Sequence, residues 1–138
     1  MLRKYTASLC LLISFLLWIV TGCSPAIENE EQKIIVQKWV GNEKKYEESK
    51  EISDNQQVLH VKRIMDEANW RDTHVEFVRP ADYQFVFQFK NPQIKAKAVL
   101  FSVWVSPQKD QLEMTRGEHE FTQLTKEESA RLLEIISE

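Results

Sequence analysis

The chain has 138 residues, 43% hydrophobic and 28% charged, with four Pro, three Gly and two Cys; this excludes collagen-like, low-complexity and disulfide-dense classes and leaves room for one domain. The formal charge is -3, and setting aside residues 1–22, with Arg3 and Lys4, leaves 16 basic against 21 acidic side chains, or -5. Non-specific binding of nucleic acid needs clustered Lys and Arg facing phosphates, so nucleic acid is not an expected partner.

At the amino end, Arg3-Lys4 precede an apolar run from Leu9 to Val20 broken only by Ser14, then the small residues Thr21 and Gly22 before Cys23. This order is that of an export signal. The run is short of the roughly 20 residues that span a bilayer; the competing reading is an uncleaved signal anchor from about Leu9 to Ala26. Val20-Thr21-Gly22-Cys23 resembles the lipobox of bacterial lipoproteins. That resemblance implies cleavage before Cys23 and lipidation of its thiol, placing the chain on the exterior face of the cell membrane. Two or more acyl chains at about 0.8 kcal/mol per buried CH₂ make a durable anchor. Cys10 would leave with the signal and Cys23 would be blocked, so the domain holds no thiol and no disulfide, and cysteine catalysis is excluded.

The domain expectations are therefore a signal peptide over 1–22, a lipid-anchored flexible tether over 23–32, and a single domain over 33–138. The tether reads S-P-A-I-E-N-E-E-Q from Ser24, polar and acidic. From Lys33 the β-branched run ending at Gly41-Asn42 predicts a strand over 33–40. Residues 41–53 carry no clear period and read as a loop or a ragged strand over 47–52. Asp54 caps a helix over about 55–68, whose apolar stripe is Val58, Val61, Ile64 or Met65, and Ala68. A short strand is expected over 74–78. Phe85, Phe87 and Phe89 alternate with Val86, Gln88 and Lys90 in a strand over 84–90, and Asn91-Pro92 turns the chain.

Residues 97–105 read as a central strand, Gln111 to Thr115 and His119 to Gln123 as two more around a reversal at 116–118. Thr125-Lys126-Glu127-Glu128 is a capping box ahead of a terminal helix. The order fits an α+β fold, a mostly antiparallel sheet of about five strands with two helices packed on one face. Phe101 and Val103 then need a cover of their own.

Chemistry is sparse. His60, His74 and His119 each have a plain structural explanation, and there is no HExxH or paired-His spacing. No serine sits in G-x-S-x-G, and no glycine-rich phosphate cradle exists. Neither metal, cofactor nor catalysis is expected. The most individual group is Trp70, Arg79, Asp82 and Tyr83, which a binding reading uses as aromatic contacts and a guanidinium fork. The competing structural reading makes Arg79–Asp82 an internal turn brace with Trp70 capping the core. A grouping of Trp39, Trp70 and Trp104 is read as core.

The Cys23 lipobox, the helix ending near Trp70, the stretch Arg79-Pro80-Ala81-Asp82-Tyr83-Gln84-Phe85-Val86-Phe87, and the ending from Leu124-Thr125 to Ile136 together resemble a small lipoprotein family of Bacillus-type Firmicutes with no known activity. The resemblance implies a location and no catalytic role. The expected function is a membrane-anchored, non-enzymatic domain binding an envelope protein or peptide, through an exposed apolar patch or free sheet edge near Trp70 and Tyr83. The alternative is a module binding a small molecule or cell-wall component in a pocket shared by Arg79, Asp82 or Lys97.

Overall fold

The computed structural model describes residues 31–137. Seven strands and two helices follow one another as β1 (Gln32–Val40), β2 (Lys45–Ile52), α1 (Asn55–Glu67), β3 (Arg71–Asp72), β4 (Tyr83–Phe89), β5 (Phe101–Val105), β6 (Leu112–Arg116), β7 (Glu120–Gln123) and α2 (Lys126–Ile136). They build one antiparallel sheet of order β2-β1-β4-β5-β6-β7-β3. The class is the expected α+β, with both helices against the sheet; the sheet has seven strands where the sequence reading has about five.

Register decides which face is buried. Ile34 lies opposite Phe87, Val36 opposite Phe85, Phe85 opposite Phe101, and Val103 opposite Met114. Directly paired residues share a face, so Phe101 and Val103 stand with Phe85 on the helix side. They join one core with Val61, Ile64, Leu132 and Ile136 of the helices and require no separate cover.

The helices start where side-chain chemistry dictates. Asp54 Oδ1 accepts the Gln57 amide at 2.9 Å, and Thr125 and Glu128 form a reciprocal capping box, each satisfying amides that the first turn leaves without partners. At the other end of α1 the Trp70 indole donates to the Met65 carbonyl at 2.7 Å. Lys50 does the same for α2, donating to the Ile135 carbonyl at 2.8 Å and placing its charge at the negative end of that helix.

Three segments depart from expectation. β2 is a full strand from Lys45, because Tyr46 packs edge-on to Trp39 and hydrogen-bonds the Ala81 carbonyl at 3.0 Å while Ile52 enters the core. The alternation of Val75 and Phe77 produces no strand over 74–78. Instead Phe77 stacks on Trp104 at 3.6 Å and leans on Phe121, so the loop lies across the outer face of the sheet. The third departure is at β5, which begins at Phe101 and not at residue 97. Lys95-Ala96-Lys97-Ala98 offers no bulky side chain on either parity, so pairing there would bury little apolar surface.

Candidate functional site: an open notch between two central strands

The late start of β5 leaves a gap in the middle of the sheet. β4 pairs with β1 over its whole length, from Tyr83 to Phe89, but with β5 only over Tyr83–Phe85. Val86 to Phe89 therefore have a neighbouring strand on one side alone. The Lys90 amide donates to the Glu31 carbonyl at 2.9 Å. Since backbone groups of an antiparallel strand alternate between its two sides, Gln88 and Val86 also point toward β1. The N–H and C=O groups of Phe87 and Phe89 point the other way, into the gap.

The gap opens into a cavity of about 860 Å³ bordered by residues from both faces of the sheet, including Ile35 and Val86 on the outer side and Met65 and Phe87 on the helix side. It is a trough cut through the sheet. Its far bank is the irregular segment of residues 94–100, tied at Leu100, whose carbonyl accepts the Gly117 amide at 2.9 Å. Val99 and Leu100 are 47% and 40% exposed on that bank. The floor is aromatic: Phe101 stacks on Phe85 at 5.0 Å and meets Phe87 edge-on at 5.8 Å.

The outer sheet edges are closed to partners by comparison. β2 presents Lys45, Glu47, Glu48, Lys50 and Glu51, and charge along an edge disfavours accidental pairing. At the other edge β3 is two residues long. Central strands rarely expose backbone groups, which makes the interior notch the exceptional place.

The sequence-derived candidates fall on two sides of this arrangement. Arg79, Asp82 and Tyr83 lie at the Val105 end of β5, and Trp70 at the Phe101 end, separated by about 13 Å of strand. Arg79 donates to Asp82 at 2.8 Å and to the Val105 carbonyl at 2.9 Å, and Asp82 accepts the Val105 amide at 2.7 Å. The Trp104 indole donates to the Arg79 carbonyl at 3.0 Å. These groups brace the loop before β4, and Tyr83 is half-buried beside the core. Trp70 stands one layer behind the notch, between Phe101 and the Arg116 guanidinium, which lies 4.6 Å from its ring. Arg116 and Phe101 both line the trough. Trp39, Trp70 and Trp104 form no cluster: Trp39 and Trp104 occupy the outer face with Tyr46 and Phe77, and Trp70 the helix side.

Removing the carboxylate by Asp82→Ala is expected to cost about 1–3 kcal/mol. Most of this comes from the Val105 amide losing its acceptor, because Arg79 is half-exposed and its ion pair contributes little. Asp82→Asn, which keeps an acceptor, should recover part of the loss in urea unfolding; equal midpoints for Asp82→Ala and the parent would contradict the assignment.

Charges around the trough are partly committed. Arg116 makes paired hydrogen bonds of 2.7 and 2.6 Å to Glu120, holding that carboxyl below its usual value. Lys33 donates to Glu51 at 3.0 Å and lowers it in the same way, with Ser53 assisting. Lys97, expected as a pocket residue, does line the notch, whereas Arg79 and Asp82 do not. His74 meets the Glu118 carbonyl, and no group of three or more His, Cys, Asp or Glu side chains able to hold a metal occurs among the described residues. Cys23, the signal and the tether to residue 30 lie outside the described residues.

The family model described as YhfM protein matches residues 27–138, and the chain belongs to that family. No match was found among curated proteins, nor among solved structures.

Proposed function

We propose that the chain is a lipoprotein domain, held through lipidated Cys23 on the exterior face of the cell membrane of a Bacillus-type Firmicute, and that it binds an envelope protein or peptide without catalysis. The observation that carries the binding reading is the half-open β4: a central strand presenting the N–H and C=O groups of Phe87 and Phe89 to an apolar-floored trough. An extended chain entering there gains main-chain hydrogen bonds and places alternate side chains on the two sheet faces, the mode of strand addition. Lysines, aromatic rings and strand amides recognise a chain; no nucleophile with an adjacent base is part of the set.

For the address, the supporting observation is the order of Arg3-Lys4, the Leu9–Val20 run and Cys23 in the sequence. Among the described residues no helix is long and apolar enough to cross a membrane. The alternative, a module for a small molecule or cell-wall component, is favoured by a volume within the usual range of about 300–1,000 Å³ for such sites. A trough open to both faces of the sheet suits a chain better than a compact ligand.

Closing the notch should abolish strand addition. Continuing the Phe85–Phe101 register sets Gln88 opposite Ala98 in a non-hydrogen-bonded pair, the closer of the two antiparallel pair types. Extended peptides selected on the purified protein from an unbiased library are expected to lose at least about tenfold in affinity when Gln88→Cys/Ala98→Cys is oxidised. Cys10→Ser and Cys23→Ser in the background leave only the new pair. Reduction should restore binding; affinity that ignores the bridge would refute strand addition at this place.

A further inference from the structure

We propose that the strand received beside β4 is acidic, with carboxylates alternating with apolar side chains. The proposal rests on the strand-addition reading and names the class of partner. The trough is lined by five cationic side chains, Lys33, Lys62, Lys95, Lys97 and Arg116, against three anionic ones, Glu48, Glu51 and Asp66. That excess stands out in a chain whose net charge is -3.

Two of the five cations are already engaged, Lys33 with Glu51 and Arg116 with Glu120. Among the described residues, Lys62, Lys95 and Lys97 have no carboxylate within ion-pair distance. Lys95 and Lys97 belong to the bank that faces the open half of β4, and Lys62 comes from α1 on the helix side. Their separation of two residues spans at most about 7 Å, the repeat at which every second side chain of an extended chain recurs. Between these charges the trough offers Phe87, Phe89 and Val99, with Leu100 exposed beside them on the same bank, which suits apolar residues at the intervening positions. A cationic strand would instead bring like charges together in a partly desolvated gap, and Asp66 and Glu48 alone would not offset three lysines.

The test uses full-length protein in detergent micelles and three fluorescent peptides: one alternating Glu and Val, one alternating Lys and Val, and a Glu-Val peptide interrupted by proline. Fluorescence anisotropy should show the Glu-Val peptide binding at least about tenfold more tightly than the Lys-Val peptide. Lys95→Glu/Lys97→Glu, on an exposed segment outside the core, should invert that preference with little change in thermal stability. The proline-interrupted peptide, equally charged but unable to form a ladder, should bind weakly. Equal binding of Glu-Val and Lys-Val, both blocked by the oxidised Gln88–Ala98 bridge, overturns the acidic preference and leaves strand addition standing. Equal binding of the proline-interrupted peptide reduces the site to general anion attraction and overturns the proposal. No binding of either Val-containing strand overturns the acidic preference and strand addition together.

Discussion

Phe85→Ala is expected to lower the free energy of unfolding by about 3–5 kcal/mol, a large share of the roughly 5–15 kcal/mol that stabilises an ordinary domain. Phe85 is 1% exposed and belongs to both halves of the fold's central joint. It lies opposite Val36 of β1 and Phe101 of β5, stacks on the Phe101 ring at 5.0 Å and meets Phe87 edge-on at 6.0 Å. Truncation removes the ring's apolar transfer free energy and leaves a cavity that neighbouring strands, fixed by their ladders, can only partly fill. The effect reaches the notch as well, since Phe85 closes the last pair before β4 and β5 part. Urea unfolding should show a lower midpoint with an unchanged slope. Peptide affinity should fall even under conditions where the variant is fully folded. A loss under about 1 kcal/mol would mean that the joint is not packed as described.

Cys23→Ser is expected to abolish fatty-acid labelling of the chain and, with the lipobox cysteine gone, to leave it as the uncut precursor, longer by residues 1–22. In the parent chain each acyl methylene in the bilayer contributes about 0.8 kcal/mol, so two chains dominate any contact the protein surface could make with headgroups. Metabolic labelling with a fatty-acid analogue reads the first effect and gel mobility the second. Undiminished label on Cys23→Ser would end the lipoprotein proposal. An unlabelled parent chain that keeps residues 1–22 would favour the uncleaved signal anchor, which holds by its apolar run and needs no acyl group.

How legible the fold was depended on whether local chemistry alone fixed a segment. Asp54 and Thr125 cap their helices at the residues the sequence indicates, since a cap and its amide partner are three positions apart and independent of the rest of the chain. The alternation of Phe85, Phe87 and Phe89 gave β4 for the same reason. β2 stayed undecided between a loop and a ragged strand over 47–52 because Lys45 to Glu51 is an edge strand with polar residues on both parities, held by Tyr46, Lys50 and Ile52 through contacts far along the chain. Residues 74–78 show strand-like alternation, yet Phe77 finds its partner in Trp104 across the outer face, a choice no local pattern encodes.

The candidate site was legible only in part. An exposed apolar patch or a free sheet edge was anticipated near Trp70 and Tyr83; neither residue lines the notch, although Trp70 packs on Phe101 and Arg116, which do. Arg79 and Asp82 form the turn brace that the structural reading of the sequence makes them, directing their polar atoms at each other and at Val105. The signal for the notch was present in Lys95-Ala96-Lys97-Ala98. Alternating lysine and alanine cannot cover Phe87 and Phe89 as a native strand would, and this is why β5 begins late. The informative feature is a missing stretch of ladder, which no single tryptophan or arginine marks.

Over Val86 to Phe89, β4 has one paired and one open side, and residue-resolved amide hydrogen exchange tests this directly. In the free protein Val86 and Gln88, bonded to β1, should be protected, and Phe87 and Phe89, facing the trough, should exchange far faster. Addition of the alternating Glu-Val peptide should slow Phe87 and Phe89 selectively. Protection of Phe87 and Phe89 equal to that of Val86 and Gln88 in the free protein would show the ladder closed and contradict the account.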